Sequence, residues 1–108
     1  FGGNIPPLTG ATESYNGTSW TELNDLTTAR SYVMGFGTQS SALAAGGSLP
    51  ADFTGVTESW NGTSWTEVND LNTGRIQLGA AGIVPSAIGY GGETPSYTGA
   101  TESWNGTS

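Results

Sequence analysis

The chain has 108 residues, of which 34% are hydrophobic and 10% charged, with 18 glycines, two basic residues against nine acidic ones, and neither histidine nor cysteine. A net charge of −7 leaves almost nothing to contact phosphates, so nucleic acid is not an expected partner, and anionic membrane surfaces are disfavoured by the same repulsion. Without His or Cys the usual catalytic triads, zinc sites, thiol nucleophiles and disulfide frameworks are excluded, and a non-enzymatic protein without a cofactor or metal is expected.

Gly, Thr and Ser stand where Leu, Lys and Glu would fill a helical protein, which predicts an all-β chain of short strands and turns. No apolar run approaches the roughly 20 residues that span a bilayer, so membrane insertion is not expected. A chain that opens at Phe1-Gly2-Gly3 without Met, inside a repeat, reads as a piece of something longer or a processed form.

In chain order, residues 1–30 form a partial unit. Gly2-Gly3 leads into a Pro-containing loop at 4–8, then a strand at 12–15, the turn sequence YNGTSW, and the polar segment NDLTTAR ending at Arg30. Residues 31–75 form a complete unit with four predicted strands, at 32–38, 42–45, 56–60 and 65–68. A turn at 39–41 joins the first pair, and the second strand closes on Gly46-Gly47 before a Pro-containing loop at 48–53. Between the last two strands lies Asn61-Gly62, a pair that tolerates the two positive φ angles of a type I′ hairpin turn. Trp60 and Trp65 flank that turn, where each can lay a large apolar surface on its own or a neighbouring sheet. The segment NDLNTGR then leads to Arg75. Residues 76–108 repeat the plan, with strands at 77–83 and 87–90, a turn at Pro85-Ser86, Gly91-Gly92, a loop at 93–97 and a strand at 101–104. Gly35, Gly37, Gly79 and Gly82 mark a crowded first strand where backbones approach or bend.

The double glycines recur at 44 and 45 residues, and the Trp20/Trp65 and Arg30/Arg75 pairs at 45. Four antiparallel strands in about 45 residues, repeated, predict the blade of a β-propeller, here about two and a half blades. No window shows the 3.6-residue periodicity of a helical solenoid.

The order of a hydrophobic strand closing on Gly46-Gly47, an aromatic at Trp60, a spaced Trp65 and then Arg75 resembles the kelch repeat. Two departures are a period shorter than the usual ~50 residues and the tight Asn-Gly turn between the aromatics. The wording TES(W/Y)NGTSWTE(V/L)ND is also similar to kelch-like proteins of marine phages, which implies a tail or virion surface, or another extracellular setting. The kelch family includes a copper-radical oxidase, whose chemistry needs His and a Cys-modified Tyr, and this chain has neither His nor Cys.

Propeller blades are covered on both faces by neighbours, so the expected partners are blades from the same longer chain or from homo-oligomer copies; a cross-β stack is a third arrangement. Leaving two faces wet would forfeit on the order of 10 kcal/mol if each exposed a few hundred Å² of apolar surface. Arg30 and Arg75 have two readings, an anion-binding or catalytic role, or a repeated tie to a carboxylate or carbonyl of the next unit. Glu13, Glu58 and Glu102 are strand carboxylates within each unit's reach. Asn16, Asn61 and Asn105 begin Asn-Gly-Thr sequences that fit both a glycosylation acceptor and a turn. Asn24-Asp25 and Asn69-Asp70 lack the alternating oxygens of a calcium loop and read as turn formers.

Two functions follow as expectations: a structural or interaction module that binds a protein or host surface, or a carbohydrate-binding propeller. If Trp60 and Trp65 are packed between blades, ligand contact falls to loop aromatics such as Phe53 and Tyr97 and carbohydrate binding is weakened as an expectation; if they line a groove, it is strengthened. The loops at 4–8, 48–53 and 93–97 differ between units and are where specificity is expected.

Overall fold

The computed structural model describes residues 1–4, 7–83 and 86–107. It contains nine strands: β1 (Thr12–Tyr15), β2 (Trp20–Leu23), β3 (Met34–Gly37), β4 (Ala42–Ala45), β5 (Thr57–Trp60), β6 (Trp65–Val68), β7 (Gly79–Ile83), β8 (Ser86–Tyr90) and β9 (Thr101–Trp104). They form three antiparallel sheets, β1-β2, β3-β4-β5-β6 and β7-β8-β9. The described residues contain no helix and no closed barrel. The division into two, four and three strands follows from where the repeats fall in the sequence.

Directly paired residues of an antiparallel ladder share a face. On the middle sheet, Met34, Ala45 and Thr57 lie in one row and Phe36, Leu43 and Ser59 in the next. This face meets the third sheet, where Met34, Ala45 and Leu78 form a core with Phe36, Leu71 and Ala80. The opposite face carries Ala44, Glu58, Trp60 and Trp65. There Trp60, Trp65 and Ala44 pack with Leu23 and Leu26 of the first unit and with Val33 of the segment that follows it. The middle sheet is thus covered on both faces. The end sheets are not: Tyr15 and Trp20 are exposed on one, Ile83, Ile88 and Tyr90 on the other.

Two predicted features are corrected. The hairpin tip is not a type I′ turn, because Gly62 has φ +97° while Asn61 is absent from the residues with positive φ. Trp60 pairs with Trp65, leaving a four-residue loop in which Asn61 Oδ1 accepts from the backbone N–H of Thr63 and of Ser64, both at 2.9 Å. The carboxamide supplies the turn's bonds, so only one residue need adopt a left-handed conformation. Secondly, the first strand of each unit begins two residues later than predicted. Tyr32 and Gln77, at equivalent positions, have φ of +54° and +55°. This kink follows bridges that Ser31 and Ile76 make with Ser48 and Glu93, ahead of β3 and β7. Pro85, half of a predicted turn, lies outside the described residues, and Ser86 already belongs to β8.

The glycine-rich first strands do lie in crowded surroundings. A Cβ on Gly82 would stand 2.5 Å from the Ser86 carbonyl oxygen, and one on Gly79 2.5 Å from the Tyr90 ring.

Candidate functional site

Charge within the structure is concentrated at two sheet-to-sheet links with the same design. Arg30, at the end of the first unit, is fully buried and reaches into the middle sheet. Its Nη1 donates to the carbonyls of Gly46, at 2.7 Å, and Val56; its Nη2 donates to Ala44 O at 3.3 Å and to Glu58 Oε2 at 3.1 Å. Glu58, on β5, is also fully buried. Its other bonds come from the turn preceding Arg30: Thr27 N at 2.6 Å, Thr27 Oγ1 at 2.8 Å and Thr28 N at 3.3 Å. One carboxylate therefore holds both the turn and the guanidinium of its neighbour. Burial pushes the Arg30 guanidinium below its ordinary value, and the Glu58 carboxylate opposes that shift.

Arg75 repeats the arrangement between the second and third units. It donates to Gly91 O at 3.2 Å, Ala100 O at 2.7 Å and Glu102 Oε2 at 2.9 Å. Glu102 in turn accepts from Asn72 N at 2.7 Å and Thr73 N at 3.4 Å. The Glu102 side chain keeps 15% exposure where Glu58 has none. The difference follows from position, since β9 is the last strand described in its sheet.

The double glycines belong to the same link. Gly46 gives its carbonyl to Arg30 of the unit before, and Gly47 N donates to the Arg75 carbonyl at 2.9 Å. Gly46, at φ +68°, would place a Cβ 2.6 Å from that Arg75 oxygen. Gly91 and Gly92 have φ of +69° and +97°, and Gly92 stands equally close to Ile76 O. Only glycine fits both the conformation and the approach.

Trp65 Nε1 donates to Thr12 Oγ1 across the sheets at 3.0 Å, and Trp60 Nε1 to Gln39 O at 3.0 Å. Both indoles are only 6% exposed, so the repeated Trp pair of the middle unit is core. The loop aromatics make equivalent bridges, Phe53 to Ser48 and Tyr97 to Glu93, but differ in exposure: Phe53 is half-buried, whereas Tyr97 is 90% exposed. Of the loop at 4–8, Ile5 and Pro6 lie outside the described residues. A cleft of about 570 Å³ is lined by Phe1, Tyr15, Trp20, Phe36, Trp60 and Trp65 among others.

Sequence reasoning placed Glu58 and Glu102 near the arginines without singling them out, and it missed the backbone N–H groups of 27–28 and 72–73. It read Asn24 and Asn69 as turn formers, yet their Nδ2 groups reach across to the Thr63 and Thr107 carbonyls, both at 2.8 Å. Their 45-residue spacing, the same as that of the arginines, was the available signal. Among the described residues no cluster of His, Cys, Asp and Glu could hold a metal ion. No protein-family model matches the chain, and the search of curated proteins returned no significant match.

Proposed function

We propose that the chain is a run of about two and a half kelch-like propeller blades and serves as a non-enzymatic scaffold on a virion surface or other extracellular structure. In this reading the sheets supply rigidity, and the variable loops supply contact with a protein or host-surface partner. One observation carries it: the middle sheet is joined to its neighbours on both faces by the same link, Arg30–Glu58 on one side and Arg75–Glu102 on the other. A contact that recurs with the sequence period belongs to an arrangement that continues by adding units.

The exposed aromatic and aliphatic residues of the end sheets fit a stack whose next members come from the same longer polypeptide or from further copies. Sedimentation velocity over a concentration series tests this. Self-association or incomplete folding of the 108-residue chain is expected, and a monodisperse, cooperatively folded monomer would refute the reading.

The exposure of Tyr97 favours carbohydrate binding as a second reading, with stacking on a sugar face outside the sheets. Glycan-array binding that Tyr97→Ala abolishes would establish it, and an array without hits would remove it.

A further inference from the structure

The Arg–Glu link has a third carboxylate position. Glu13 of β1 is the equivalent of Glu58 and Glu102, and pairs in register with Glu22 as Glu58 does with Glu67. Beside it, the Tyr15 and Trp20 rings lie 5.0 Å apart, close to the 5.3 Å of Trp60 and Trp65. Surroundings separate the two faces: Trp65 is 6% exposed and Glu58 fully buried, while Trp20 is 66% exposed and Glu13 faces solvent. The outward face of β1-β2 is therefore an uncovered copy of the face that the middle sheet turns toward the first unit.

Charge selects what can cover it. The chain's two arginines are both fully buried in links of their own. A second copy stacked through its uncovered third sheet would bring Ile88 and Tyr90 against Glu13 without a guanidinium. Burying a carboxylate without a cation is strongly unfavourable. We propose that the outward face of β1-β2 is the docking surface for a further unit of this repeat that ends in a Thr-x-Arg turn, as Thr28-Ala29-Arg30 and Thr73-Gly74-Arg75 do. Its arginine pairs with Glu13, and the backbone N–H groups of its turn complete the carboxylate's bonds, as Thr27 and Thr28 do for Glu58. This inference rests on the stacked-repeat reading above.

The test lengthens the 108-residue chain by repeating residues 16–44 ahead of Phe1, which occupies the place of Ala45 in the repeat. Thermal unfolding is then followed for the parent and extended chains. The extension is expected to raise Tm. In the parent, Glu13→Gln should shift Tm by no more than about 2 °C, as an exposed carboxylate does. In the extended chain, Glu13→Gln, and separately Arg30→Gln in the added copy, should each lower Tm by roughly 10 °C, with the double variant no worse than either alone.

A raised Tm that ignores both substitutions overturns the Glu13 assignment and leaves stacking intact. An extension that does not raise Tm overturns the stacked-repeat reading itself. Association of the parent chain through this face that is unchanged by Glu13→Gln in sedimentation velocity would make a second copy the occupant and refute the proposal.

Discussion

Replacing Arg30 with alanine removes the only cation that faces Glu58 at hydrogen-bond distance. The carboxylate would keep its bonds from Thr27 and Thr28, but would remain fully buried and without a counter-charge. The carbonyls of Gly46, Val56 and Ala44 lose a donor at the same time. Breaking a buried pair from one side costs about 3–5 kcal/mol, a large share of the ~5–15 kcal/mol that stabilises an ordinary domain. The second half of the argument is that removing both charges costs less than removing one. Arg30→Met with Glu58→Leu replaces the pair by apolar groups, and the double variant should recover most of the loss suffered by Arg30→Ala. The assay is urea unfolding followed by tryptophan fluorescence at fixed chain concentration, since any association adds to apparent stability. An Arg30→Ala variant within about 1 kcal/mol of the parent would refute the reasoning, because that is the worth of an exposed pair.

Three further outcomes test other parts of the structure in the same assay. Trp65→Phe, which deletes the indole N–H bond to Thr12 and leaves that buried hydroxyl with only the bond it donates to Gly10 O at 3.3 Å, should cost about 1–3 kcal/mol, whereas Trp20→Phe at the equivalent exposed position should stay within about 0.5 kcal/mol. Gly46→Ala should lose at least about 1 kcal/mol through its positive φ and its approach to the Arg75 carbonyl, while Gly99→Ala, with nothing within 4 Å of the added methyl, should be near neutral. Asn61→Ala removes the acceptor of two backbone N–H groups in an exposed loop and should cost about 1 kcal/mol, with Asn61→Asp largely retained.

The repeat made the sheet boundaries legible. Because Gly46-Gly47, Trp60, Trp65 and Arg75 recur at a fixed interval, the place of each strand in its unit could be read before any contact was known. Turn geometry was not legible to the same degree. Asn-Gly suits a two-residue turn with two left-handed residues, but it also suits a four-residue loop in which the Asn side chain replaces backbone bonds, and the letters alone do not separate the two. The left-handed Tyr32 and Gln77 were invisible because neither residue type advertises that conformation; each lies between the bridge made by the residue before it and the strand that starts two residues later. The arginines were legible as a pair of equivalent ties. The choice of Glu58 and Glu102 over the other carboxylates was not, since it depends on which face of the strand is covered, and that depends on register between sheets.

Housing both guanidiniums inside the molecule leaves its skin with one sign of charge. Glu13, Glu22, Asp25, Asp52, Glu67 and Asp70 are all exposed, and no cationic side chain faces them from the surface of the described residues. Tryptophan-rich hairpins would otherwise invite lateral clumping, and this anionic coat opposes it at distances up to about 8 Å in physiological salt. Adding salt contracts that barrier, so the same molecules should become more prone to precipitate even as their internal, desolvated ties stay almost unchanged.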